Sequence, residues 1–80
     1  MTKKFKRGYI NKGWWNSLTN KWVDNEYSIT ITKVTQSDEF GKFEDIDEDE
    51  INSFGGYKSV DEALKELKNY KVKEIINEVK

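Results

Sequence analysis

Residues Ser59 to Tyr70, SVDEALKELKNY, carry a helix start, a helical period and a helix stop in one stretch. Ser59 and Glu62 form the S-x-x-E capping pattern: the serine hydroxyl accepts from a free N–H of the first turn, and the glutamate reaches back to the cap. Asp61 and Glu62 also suit the positive end of the helix dipole. Val60, Ala63, Leu64 and Leu67 stand at i, i+3, i+4 and i+7, so they make one apolar stripe and leave Lys65, Glu66 and Lys68 to water. A stripe of that kind needs a complementary apolar face, and the fold class follows from where the chain supplies it.

The nearest match is Glu26 to Val34, EYSITITKV, where Tyr27, Ile29 and Ile31 alternate with Ser28, Thr30 and Thr32. The alternation and the β-branching predict a strand with one dry and one wet face. Burying three such side chains against the helix contributes about 5 to 9 kcal/mol before chain entropy is counted. Further out, Lys4 to Ile10 reads as a strand, and Asn11-Lys12-Gly13 as a turn that returns Trp14 to Thr19 as its hairpin partner. Consecutive residues of a strand point to opposite faces, so Trp14 and Trp15 cannot both enter one core. Trp22-Val23 is too short to place between turn residues. Glu39 to Phe43 reads as a short further strand, and Asp45 to Phe54 as a helical turn or an acidic loop ended by Gly55-Gly56.

After Tyr70 the apolar period resumes with Val72, Ile75, Ile76 and Val79. At about 100° per residue this stripe lies about 120° around from the first, so a straight helix would expose one of them. A left-handed cap at Asn69 breaks the helix, and the tail becomes a second helix, favoured by its period, or a strand, favoured by its β-branching. The expected fold is a single domain over residues 1–80 of class α+β. A small antiparallel sheet of three to four strands, from residues 4 to 43, packs against a C-terminal amphipathic helix, with a short terminal helix or strand.

Composition narrows the chemistry. The 80 residues include no Cys and no His, which removes disulfides, thiolate or imidazole metal ligands and the commonest general base. No nucleophile motif such as G-x-S-x-G occurs, so no catalytic residues, no cofactor and no enzyme activity are expected. No apolar run reaches the length of about 20 residues that spans a bilayer, and the lysine-rich start lacks an apolar signal core. A cytoplasmic protein without membrane contact is the expectation. One alanine, no proline and many Lys, Asn and Ile match the usage of an AT-rich bacterial or phage genome.

The net charge of −1 conceals a strong segregation. Lys3, Lys4, Lys6, Arg7, Lys12 and Lys21 precede Asp24 with no acid among them, whereas residues 38–50 hold eight acids against Lys42. Asp45, Asp47 and Asp49 match the first ligand positions of an EF-hand loop, but Glu50 stands where its glycine belongs and Gly56 where its glutamate belongs, so no metal site is expected. The plainest reading of the acidic run is a solvated surface that keeps a small protein soluble, and beside it three roles remain for this polarity. Asp45, Asp47, Glu48, Asp49 and Glu50 could imitate nucleic-acid phosphates and occupy a basic surface of a host protein, with Trp14 or Trp15 as an anchor. That is the leading expectation: a non-enzymatic protein-binding module, such as an anti-CRISPR-like inhibitor from a phage or mobile element. The alternative is a nucleic-acid-binding domain in which Lys4, Lys6 and Arg7 neutralise phosphates while Trp14 and Trp15 stack bases. In the third, the two charged segments pair within one molecule or between copies, leaving the oligomeric state open.

Overall fold

The computed structural model describes residues 2–38 and 41–79. Three long strands, β1 (Thr2–Asn16), β2 (Lys21–Ser37) and β3 (Glu44–Tyr57), are followed by one helix, α1 (Val60–Lys68), and a short strand, β4 (Glu74–Asn77). They form a four-stranded sheet in the order β3-β2-β1-β4. β2 pairs antiparallel with both β1 and β3, whereas β4 pairs in parallel with β1. The sheet is therefore mixed, not wholly antiparallel as expected. β3 and β4 run in the same direction, and parallel strands need a crossover rather than a tight turn. That connection is α1, which places the helix on one face of the sheet.

The core lies between them. Ile10, Ile29, Ile31, Ala63 and Leu67 are its buried members, with Val60, Leu64, Tyr57, Tyr70, Val72 and Val79 packed around it. The Ile29 and Ile31 face thus meets the helix stripe as its spacing predicts. Gly8 sets how closely: a Cβ there would stand 2.6 Å from Leu67 Cδ2. Phe54 and Tyr70 close one side, their rings stacked at 5.7 Å.

Both ends of the helix differ in detail from expectation. Glu62 N–H donates to Ser59 Oγ at 3.1 Å, as the cap requires, but the Glu62 carboxylate accepts from Lys58 N–H at 3.3 Å, one residue before the cap. Asn69 remains right-handed, with φ −72°, and the left-handed residue is Lys71, with φ 56°. The chain then runs along the free edge of β1, where Lys73 N–H donates to Lys6 O and Glu78 N–H to Ile10 O, both at 2.9 Å. This edge has unpaired backbone groups to satisfy, and the β-branched Ile75-Ile76 pair suits a strand, so the tail is β4 and not a second helix.

Three other expectations are corrected. Gly13 does adopt φ 95°, yet β1 continues through it to Asn16, and Asp24, Asn25 and Glu26 of β2 stand opposite it as a bulge. The reversal occurs at residues 17–20, where Asn16 Oδ1 accepts from the N–H groups of Leu18 and Thr19 at 3.0 and 3.4 Å. Of the short strand expected over Glu39 to Phe43, Glu39 and Phe40 lie outside the described residues. Residues 41–43 form no strand, and Gly41 N–H closes a turn onto Asp38 O at 3.0 Å. The acidic segment, expected as a helical turn or loop, is strand β3. Its pairing with β2 outweighs the poor strand propensity of Asp and Glu, and shifts of register at Ile46 and Ile51 absorb the mismatch.

Candidate functional site

Among the described residues no helix packs on the sheet face opposite α1. Alternation sends Phe5, Arg7, Tyr9 and Asn11 of β1 to this face, with Ser28, Thr30, Thr32 and Val34 of β2 and Glu48 and Ser53 of β3 beside them. Arg7 is only 6% exposed even so. Its Nη1 lies 2.8 Å from Asp45 and 3.4 Å from Glu48, and its Nε lies 3.0 Å from Glu74. The Phe5 ring lies 5.5 Å from the guanidinium carbon. Around this cation, Tyr9 and Thr32 both donate to Glu48, Thr32 at 2.7 Å, and Gln36 donates to Asp45 at 2.6 Å. One arginine thereby ties β1 to both edge strands.

The electrostatics follow from that geometry. The hydrogen bond from Arg7, then that from Gln36, holds the Asp45 carboxyl below its ordinary range. Tyr9 first and Thr32 second do the same for Glu48. Burial, then the neighbouring Glu48, pushes the Tyr9 phenol up, while the hydrogen bond to Asp45 outweighs burial and raises Arg7 further. Carboxyls held down in this way are ionised acceptors at neutral pH rather than proton donors.

The five acids singled out in the sequence are divided by the pleat. Asp45 and Glu48 engage Arg7 on the open face, and Glu50 stands on that face opposite Thr32. Asp47 and Asp49, opposite Thr35 and Lys33, turn to the helix side. Among the described residues no three acidic side chains converge to hold a metal ion. The basic set is divided too, since Lys4 and Lys6 alternate with Arg7 and lie on the other face. The charged segments do meet within the molecule, through Arg7.

Beyond the arginine, past the bulge at Gly13, three tryptophans gather at the end of the sheet. Trp14 lies on Gly55, where a Cβ would stand 2.4 Å from its ring, and its Nε1 donates to Glu26 at 3.0 Å. Glu26 also accepts from Lys58 Nζ at 3.2 Å, and the Trp14 bond, then the Lys58 bond, holds its carboxyl low. Trp15 and Trp22 are cross-strand partners, 55% and 59% exposed, and the Trp22 ring is seated on Gly13. With Asn11, Ser28 and Ser53 these rings line a hollow of about 460 Å³. A second hollow of about 360 Å³ shares Asn11 and is lined by Tyr9, Thr30, Thr32, Glu48, Glu50 and Glu78.

The aromatic and basic composition of the N-terminal third points to all three tryptophans, whereas nothing in the sequence singles out Asn11, Ser53 or Glu78. The wet face of Ser28, Thr30 and Thr32 was the signal that could have located the site. Compared with known proteins, the chain matches no protein-family model, no curated protein and no solved structure. No helix among the described residues is long and apolar enough to cross a membrane.

Proposed function

We propose that this chain is a small non-enzymatic binding module that occupies a basic, nucleic-acid-binding surface of another protein, in the manner of a phage or mobile-element inhibitor of a host defence protein. The observation that carries this reading is the form of the acidic segment: an edge strand whose residues are exposed throughout Glu44 to Gly55. From Asp47 to Glu50 every residue is an acid. A strand rises about 3.4 Å per residue and alternates its side chains, so acids sharing a face, such as Asp47 and Asp49, repeat about every 7 Å, and the edge as a whole carries one acid per residue from Asp47 to Glu50. Arg7 satisfies Asp45 and Glu48, whereas among the described residues no ion pair engages Asp47, Asp49 or Glu50.

The test is capture of a protein partner from a bacterial lysate after nuclease treatment, using the native chain and the triple variant Asp47→Asn, Asp49→Asn, Glu50→Gln. These three positions leave the Arg7 network intact, so the fold should survive. Loss of a nuclease-resistant partner by the variant is the expected result. Equal capture by both proteins would remove the acidic strand from the mechanism.

The alternative, nucleic-acid binding through Lys4, Lys6, Arg7, Trp14 and Trp15, draws its support from the exposed indole of Trp15. It requires salt-sensitive quenching of tryptophan fluorescence by single-stranded oligonucleotides. Arg7 weighs against it, because its guanidinium is already enclosed by three carboxylates.

A further inference from the structure

The geometry points to a specific role for the tryptophan hollow: we propose that it takes an arginine or lysine side chain from an extended cationic segment of the partner, laid along the open face. This rests on the proposed function and adds a recognition site that β3 alone does not provide. The hollow is built before any ligand arrives. Trp22 is seated on Gly13, and Trp14 is seated on Gly55 and tied to Glu26. Rings held this way need little ordering on binding, which is the main cost of using large exposed side chains.

The sign of the ligand follows from what surrounds the rings. Indole faces attract cations more strongly than other aromatic faces do. Asn11, Ser28 and Ser53 offer neutral oxygen acceptors within the same hollow, suited to the N–H groups of a guanidinium. Asn11 also borders the second hollow, where Glu50 and Glu78, beside the Arg7-paired Glu48, supply negative charge for the next basic residue of an extended segment. Those carboxylates repel a phosphate backbone, so stacking on the same rings is disfavoured for a nucleic acid. Lys12 is a cation bordering the tryptophan hollow, and it is exposed, so its long flexible stem can carry the ammonium into solvent away from an incoming cation.

The test titrates the full chain with a short synthetic peptide of alternating arginine and serine, and with the same peptide carrying citrulline for arginine, at physiological salt. Tryptophan fluorescence and calorimetry follow binding. The arginine peptide should bind and the citrulline peptide should bind at least tenfold more weakly. Trp15→Leu and Trp22→Leu, which keep apolar bulk without a π face, should each weaken binding about three- to tenfold with an unchanged circular dichroism spectrum. Native affinity in both leucine variants, or equal binding of the citrulline peptide, a neutral oligosaccharide or single-stranded DNA, would overturn the proposal. If the leucine variants bind normally while the Asp47, Asp49 and Glu50 variant loses its captured partner, the hollow is wrong and the proposed function stands. If the peptide depends on the tryptophans but capture ignores the acids, the hollow stands and that function falls.

Discussion

Arg7 is the residue on which the most distant parts of the chain converge, since its carboxylate partners come from positions 45, 48 and 74. Removing it would strand three carboxylates together. Their side chains are 41, 30 and 46% exposed, so they can rehydrate and move apart, and the cost falls below that of breaking a fully buried pair. Arg7→Met should therefore destabilise the fold by about 2 kcal/mol in urea denaturation. Arg7→Lys should recover only part of this, because an ammonium cannot reach Asp45 and Glu74 with one rigid fork. The same network sets a pH dependence. Asp45 and Glu48 have folded values below their unfolded ones, so their contribution is fully present above the ordinary carboxylate range and is lost as pH falls through the folded values. Thermal melts from neutral pH down to about pH 3 should show native stability falling, with a smaller fall in Arg7→Met. An identical acid profile in the two proteins would mean that Arg7 does not hold these carboxyls.

At the scale of elements, the helix and the acidic strand show what local sequence can and cannot specify. The helix depends on contacts a few residues apart. Ser59→Ala removes the hydroxyl that accepts from Glu62 N–H, and should cost about 1 kcal/mol by denaturant midpoint at unchanged slope. Such a cap is legible in a sequence because donor, acceptor and period all lie within one stretch, and so was the strand of Tyr27, Ile29 and Ile31. β3 was not legible. Asp and Glu are poor strand formers, and the decision rests with β2, whose partners for this segment include Glu44 opposite Ser37 and Phe54 opposite Ile29. Gly13 misled for a different reason: a positive φ serves a bulge as well as a turn, and only the register with β2 distinguishes them. The tail was ambiguous between helix and strand until the free edge of β1 was known. The candidate site was half legible for the same cause. Tryptophans and acids stand out in composition, but the pleat that separates Asp47 from Asp45, and the enclosure of Arg7, arise only when distant strands pair.

The whole molecule is elongated, with principal extents of 46 × 24 × 23 Å, and its two sheet edges are managed differently. β4 pairs with residues 7–10 of β1 on one side. On the other side β3 presents an exposed edge, and an unpaired edge is a template for another chain. A second copy pairing there would bring Asp47 to Glu50 against their own equivalents, where like charges directly opposite are destabilising. The acids proposed to meet a basic partner would also oppose self-pairing, and one substitution set separates the two effects from the fold. Replacing Asp47, Asp49 and Glu50 by Thr keeps or raises strand propensity, leaves Asp45 and Glu48 on Arg7, and removes the repulsion along the edge. Sedimentation velocity across a concentration series should show this variant shifting to larger species at concentrations where the native chain does not. Raising the salt should move the native chain in the same direction, since screening weakens the repulsion between exposed charges. If the threonine variant sediments as the native chain does at every concentration, the charge is not what protects this edge, and its role is then to be sought in the proposed binding of a basic surface.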